Sequence, residues 1–183
     1  MRTGKGTQMQ LCLVRHASAD NTGQNGITRD SQRRLSQVGR AEAAIVATFL
    51  AAEKWIPVRV TASPLVRAME TAGIIAARLD VKEGALSLDI LEPGVSAPEL
   101  AAYMKASRVQ RLLAVGHMPD CTEITAEFIG RKNNTGLAFE KAAAALITFD
   151  DEPEPGTGRL EWLLQPLQMR QQLVSGPRSP GQQ

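Results

Sequence analysis

The sequence predicts a three-layer α/β sandwich, with helices on both faces of a mostly parallel central sheet. Three observations carry that prediction. Short β-type runs alternate with stretches of helical period along the chain. The run Leu11–Val14 is apolar and stops at Arg15-His16, as a buried strand does when it hands its last side chains to a loop. The 183 residues are 43% hydrophobic and 22% charged, enough for one domain with a full core and no internal repeat.

The elements follow in order. Met1–Gln8 is polar and reads as a flexible leader, and Met9–Val14 is the first strand. Ala17–Arg33 is rich in Gly, Asn, Asp, Ser and Thr and has no apolar period. A loop of that length is usually functional. Ser36 is an expected N-cap, and the stripe Val38, Ala41, Ile45, Phe49 and Ala52 predicts a helix over Gln37–Lys54. Val58–Ala62 is a second strand. Ser63-Pro64 reads as an N-cap followed by Pro at the first helical position, opening a helix to Leu79. A short strand is expected near Leu86–Ile90, then a turn at Leu91-Glu92-Pro93-Gly94. Ser96-Ala97-Pro98-Glu99 has the capping-box spacing and starts a helix to Ser107. Arg111–Val115 is a strand ending in Gly116-His117-Met118-Pro119, with a helix to Ile129 beyond it. Ala142–Phe149 and Arg159–Gln165 read as a strand hairpin. The chain turns polar from Pro166. The expected organisation is a domain over residues 9–167 and a disordered tail over 168–183.

Composition narrows the function. The net charge is +2 with both signs interspersed, and aromatics are 4%, which argues against a nucleic-acid partner. No apolar run is long enough to span a membrane, and no signal peptide is evident, so the cytoplasm is the expected compartment. Two cysteines, Cys12 and Cys121, make no disulfide framework. Cys121, near a helix start, is a candidate for a lowered pKa, with plain packing the favoured reading.

Four residues carry the chemistry. The chain has two histidines, His16 and His117, and both follow the end of an expected strand. Arg67 falls in the first turn of an expected helix, where a cation opposes the helix dipole by about 0.3–1 kcal/mol. Either it points to solvent or an anion sits there, since helix N-termini bind phosphate through their free amides. Gly116 allows a close backbone approach, and Pro119 fits a first helical position. Arg15, His16, Arg67 and His117 thus come from strand ends and helix starts. Arginine forks match phosphate oxygens, and a neutral histidine is a competent nucleophile toward phosphorus. The sequence offers no carboxylate cluster for magnesium and no P-loop.

Leu13-Val14-Arg15-His16-Ala17, Ser63-Pro64-Leu65-Val66-Arg67-Ala68-Met69-Glu70-Thr71-Ala72 and Val115-Gly116-His117-Met118-Pro119 together resemble the three signature segments of the histidine phosphatase superfamily, also called phosphoglycerate mutase-like. The resemblance covers Met9–Leu167. It implies that His16 is the nucleophile and is transiently phosphorylated, while Arg15, Arg67 and His117 hold the phosphoryl oxygens. It implies no metal and no other cofactor. The implied activity is a phosphatase acting on phosphohistidine of a partner protein. A phosphatase of small phosphomonoesters and a phosphoryl-binding module without turnover are the alternatives. A metal site built on His117 and Cys121 lacks standard ligand spacing. Glu92 stands where larger members place their general acid; a solvated turn residue is the other reading. Arg33 precedes the Leu35-Ser36 pair as a substrate-holding Arg does in such proteins, or it is a solvated loop residue. Ala17 replaces the commoner Gly.

Overall fold

The computed structural model describes residues 8–175. Six strands, β1 (Met9–Arg15), β2 (Arg59–Ala62), β3 (Ala85–Ser87), β4 (Arg111–Gly116), β5 (Ala144–Phe149) and β6 (Arg159–Leu164), form one sheet in the order β3-β2-β4-β1-β5-β6. β1 to β4 run parallel, and β5 is antiparallel to both β1 and β6. The helices are α1 (Gln37–Ala52), α2 (Val66–Arg78), α3 (Ala97–Ser107), α4 (Asp120–Phe128) and α5 (Pro166–Ser175). α1, α2 and α5 cover one face of the sheet; α3 and α4 cover the other.

The sheet is covered on both sides because its central strand has no polar side. Cys12 and Val14 pack with Val46, Leu50, Ile75 and Met169, while Leu11 and Leu13 pack with Leu100, Met104, Ile124 and Phe128. Each such Leu or Ile contributes about 1.5–3 kcal/mol relative to exposure. The register pairs Arg15 with Gly116, so the residues that follow, His16 and His117, leave adjacent strands side by side. That edge is also where the connections diverge, toward β2 from β1 and toward β5 from β4. Open α/β sheets bind ligands at such a point.

Several expectations need correction. α1 buries Gly39, Ala43, Val46, Ala47, Phe49 and Leu50, and Val38 is 63% exposed. An Ala-rich helix leaves its apolar stripe ambiguous, and Gly39 resolves it. A Cβ at Gly39 would collide with the backbone carbonyl of Ser18, so α1 is pressed against the loop after β1. α2 starts at Val66 rather than Pro64, with Leu65 at its N-cap and no side-chain cap. Ser63 is taken by the sheet: its amide donates to Val115 O at 3.0 Å. The expected strand at Leu86–Ile90 is β3 over Ala85–Ser87 followed by a 3-10 turn, Asp89–Leu91. Pro119 is the N-cap of α4, one position outside it. At Gly116 a Cβ would meet only Cys121 Sγ at 3.8 Å, so no close approach requires glycine there. The polar stretch from Pro166 is helical through Ser175, because Met169 is fully buried against the α1 layer. Residues 1–7 of the expected leader and 176–183 of the expected tail lie outside the described residues.

The Ser36 cap is present, its Oγ accepting from Gly39 N at 3.1 Å. The capping box of α3 is present too, with Ser96 N donating to Glu99 Oε2 at 2.9 Å. Gly39→Ala is expected to lower the stability of the fold by about 1–3 kcal/mol, as overpacking does. Chemical denaturation measures it; an unchanged midpoint would mean that the Ser18 backbone yields.

Candidate active site

His16 sits one residue past β1, only 4% exposed. Its Nδ1 lies 2.8 Å from the carbonyl oxygen of Ala17. A carbonyl only accepts, so Nδ1 carries the proton and Nε2 carries the lone pair. Arg67 Nε donates to that Nε2 at 3.2 Å, which agrees with this tautomer. Burial pushes the His16 pKa down to about 3, against the Ala17 hydrogen bond and with help from Lys141, Arg67 and His117. The ring is therefore neutral at ordinary pH, its lone pair facing a guanidinium.

The loop around it is held from three sides. Ala17 N donates to Thr71 Oγ1 at 3.1 Å, and that hydroxyl donates to Arg67 O at 2.7 Å. Ser18 N donates to Glu42 Oε2 at 2.8 Å, and Ser36 N donates to Ser18 O at 3.0 Å. His117 follows β4, with its ring centroid 5.2 Å from that of His16. It is 3% exposed, and neither ring nitrogen has a hydrogen-bond partner among the described residues. Burial, reinforced by Arg67, lowers its pKa to about 4. Buried polar atoms left unpaired are costly, so this ring is aimed at a group that would satisfy it.

Arg67 lies in the first turn of α2 and is buried, pointing into the site rather than to solvent. Its Nη1 donates to Asp30 O at 2.8 Å and its Nη2 pairs with Asp30 Oδ2 at 3.0 Å. Asp30 opens a 3-10 turn, Asp30–Gln32, inside the long loop. Burial raises the Asp30 carboxyl, but Arg33 and Arg67 outweigh it and hold the group below its ordinary range. Arg15 Nη1 donates to Phe139 O at 2.7 Å, while its buried Nε has no partner among the described residues.

The histidine phosphatase superfamily (branch 1) model matches residues 11–88. Phosphohistidine phosphatase SixA of Escherichia coli (strain K12) is 28% identical over 165 residues, 88% of this chain and 97% of that protein. The structure of the protein histidine phosphatase SixA complexed with tungstate superposes with a TM-score of 0.74 at 28% identity, over 87% of this chain and 98% of that one. A SixA-like structure from Agrobacterium tumefaciens gives 0.69 at 22% identity, over 85% and 97%. The chain is similar to the histidine phosphatase superfamily over residues 11–88 and to SixA along most of its length. The match supports a phosphatase.

The structure brings His16, Arg67 and His117 together, with the Arg15 charge beside them. Among the described residues no hydrogen bond or ion pair joins Glu92 to them, though Gly94 N of the same turn donates to Asp120 Oδ2 at 2.9 Å. Glu92 is exposed at the end of the second 3-10 turn, with no side-chain hydrogen bond among the described residues. Arg33 is partly buried and its guanidinium is engaged by the loop: Nε donates to Asp20 O at 2.6 Å and Nη1 pairs with Asp30 at 3.2 Å. Cys121 is buried and burial pushes its thiol up, which agrees with the favoured packing reading and not with a lowered pKa. Among the described residues no three His, Cys, Asp or Glu side chains group to hold a metal ion, and no helix is long and apolar enough to cross a membrane.

The sequence reading missed Thr71, Asp30 and Lys141. Thr71, one turn after Arg67, was readable as a buried hydroxyl on the same face; the other two had no local signal. The imidazoles provide a test. The unfolded chain protonates both as pH falls through 6.5, whereas the folded chain resists down to about 4 and about 3. Stability is thus full above that ordinary value and declines as pH drops below it. Nitrogen-15 NMR is expected to show both rings neutral between about pH 8 and pH 5, with His16 protonated at Nδ1. A titration near neutrality would contradict the burial argument.

Proposed function

We propose that this chain is a metal-independent phosphohistidine phosphatase acting on a phosphorylated partner protein, with His16 as its nucleophile. The single observation that carries the reading is the fixed lone pair of His16 Nε2, facing Arg67 beside the unsatisfied ring of His117. In the first step Nε2 attacks phosphorus and the bond to the substrate nitrogen breaks. Its electron pair leaves with the substrate imidazole. Arg15, Arg67 and His117 hold the phosphoryl oxygens. In the second step water attacks the phosphorylated His16, the P–Nε2 bond breaks, and inorganic phosphate leaves. Catalysis of this kind is positioning plus electrostatics.

The leaving group removes the need for a positioned acid. An alcohol needs a proton as it departs. A phosphorylated imidazole already carries a proton on its other nitrogen when protonated, so it departs without one from the enzyme. Glu92 is unconstrained and is not required on this reading. The E. coli relative, named a phosphohistidine phosphatase, supports the same substrate class. The cytoplasm, where phosphotransfer proteins meet their partners, is the proposed compartment.

Rapid-quench trapping with a phosphohistidine protein is expected to capture phosphate on His16. His16→Ala is expected to abolish turnover, and Arg67→Ala to lower kcat by roughly 10²–10³. Turnover surviving in His16→Ala overturns the mechanism. Glu92→Gln is expected to leave phosphohistidine turnover unchanged; a large loss, with alkyl phosphates as the better substrates, would favour the phosphomonoesterase reading. Asp30→Asn removes the carboxylate from Arg67, and a lower KM is expected, measured by steady-state kinetics.

A further inference from the structure

The segment before β5 is fastened along the site. Ala142 N donates to His16 O at 3.3 Å, and Arg15 N donates to Ala143 O at 3.0 Å. Phe139 O accepts from Arg15 Nη1 at 2.7 Å. From the other side Gln165 clamps it, with Nε2 donating to Ala138 O at 2.6 Å and Oε1 accepting from Glu140 N at 2.9 Å. A turn closed by Ala143 N to Glu140 O at 3.0 Å has Lys141 and Ala142 at its centre. Ala142 is fully buried at φ +56°, a left-handed conformation that costs a residue with a Cβ. The antiparallel register of β1 and β5, which pairs Val14 with Ala144, extends through these bonds as far as His16 and Ala142, the residue after Lys141.

Lys141 is half-buried there and makes no hydrogen bond or ion pair among the described residues. Its charge reaches both imidazoles of the site, since it disfavours their protonation. The groups facing it are Arg15 on β1, Arg33 on the loop and Arg67 on α2, all repelling, and Glu42 on α1, attracting. Glu42 is already held by Ser18, and Asp30 by Arg33 and Arg67. A half-buried, unpartnered ammonium carried by this strained, clamped turn beside His16, in the field of three guanidiniums, is suited to a multiply charged anion.

We propose that Lys141 is a substrate-binding residue of this site, its ammonium donating to a non-bridging oxygen of the phosphoryl group. The inference rests on the phosphatase reading above and adds a fourth cationic or imidazole ligand after Arg15, Arg67 and His117. A second consequence concerns pH. Burial first, then Arg15, Arg33 and Arg67, lower the Lys141 pKa to about 8. The ammonium is charged below that value and lost above it, so affinity for a dianion falls as pH rises through about 8.

Tungstate, a dianion throughout this range, is the probe, titrated calorimetrically into the full chain at several pH values. Lys141→Gln is expected to weaken binding roughly tenfold or more, as loss of a charge-assisted hydrogen bond does, and to flatten the decline above pH 8. Lys141→Arg, which keeps the charge, is expected to restore most of the affinity. Thermal melts establish that each variant is folded. Wild-type affinity in Lys141→Gln, or an unflattened decline, overturns the proposal, as does equal weakness in Lys141→Arg with the decline retained. Failure of the wild type to bind tungstate at all would instead overturn the anion site itself.

Discussion

Everything chemical in this molecule depends on the carbonyl of Ala17 accepting from His16 Nδ1. An imidazole has two equivalent ways to place one proton, and only one of them leaves Nε2 able to attack. A backbone carbonyl makes that choice permanent because it cannot donate. It must itself be immobile to do so. Thr71 holds the amide of Ala17, Arg67 holds the hydroxyl of Thr71 through its carbonyl, and Glu42 and Ser36 hold Ser18. The glycine at position 39 lets α1 come close enough for the Ser36 contact to form. The tautomer of one side chain thus draws on β1, α1 and α2 together.

The same neighbourhood concentrates positive charge to an unusual degree. Arg15, Arg67 and Lys141 converge on two imidazoles that burial keeps neutral. Neutral rings are what such a cluster tolerates: a charged His16 would meet Arg67 at hydrogen-bond distance. The single carboxylate on Arg67, from Asp30, comes from a loop, the class of segment that can move with the least loss of core packing. The Asp30 carboxylate therefore holds Arg67 from a loop, while the imidazoles are held at strand ends.

How much of this could be read from the chain follows from where each signal resides. His16, Arg67 and His117 were legible because each sits at a junction of local structure: an apolar run ending, or a helix starting on the wrong charge. The capping box of α3 was legible for the same reason. The buried face of α1 was not, since Ala gives a weak period and the deciding contact, Gly39 on Ser18, spans two elements. α5 was not, because of its apolar residues Leu167, Met169, Leu173 and Val174 only Met169 is buried, so they trace no clear face. Lys141 lies in an unremarkable Glu140-Lys141-Ala142 sequence. Its place beside the site comes from the hydrogen bonds of Ala142 and Ala143 to β1 and His16, which no local signal encodes.

The two histidines are 101 positions apart in sequence, yet their meeting requires no loop at all. β1 and β4 are parallel neighbours, with Arg15 beside Gly116, and each strand continues by one residue. Adjacent strands lie about 4.8 Å apart, and the rings are 5.2 Å apart. The excursion through β2 and β3 before β4 returns beside β1 is what creates this adjacency, because a chain that simply added strands outward would separate them. The two imidazoles are thus positioned by the hydrogen-bonded ladder of the sheet. Loops and turns need supply only what varies, Asp30 and Arg33 on one side and Lys141 on the other.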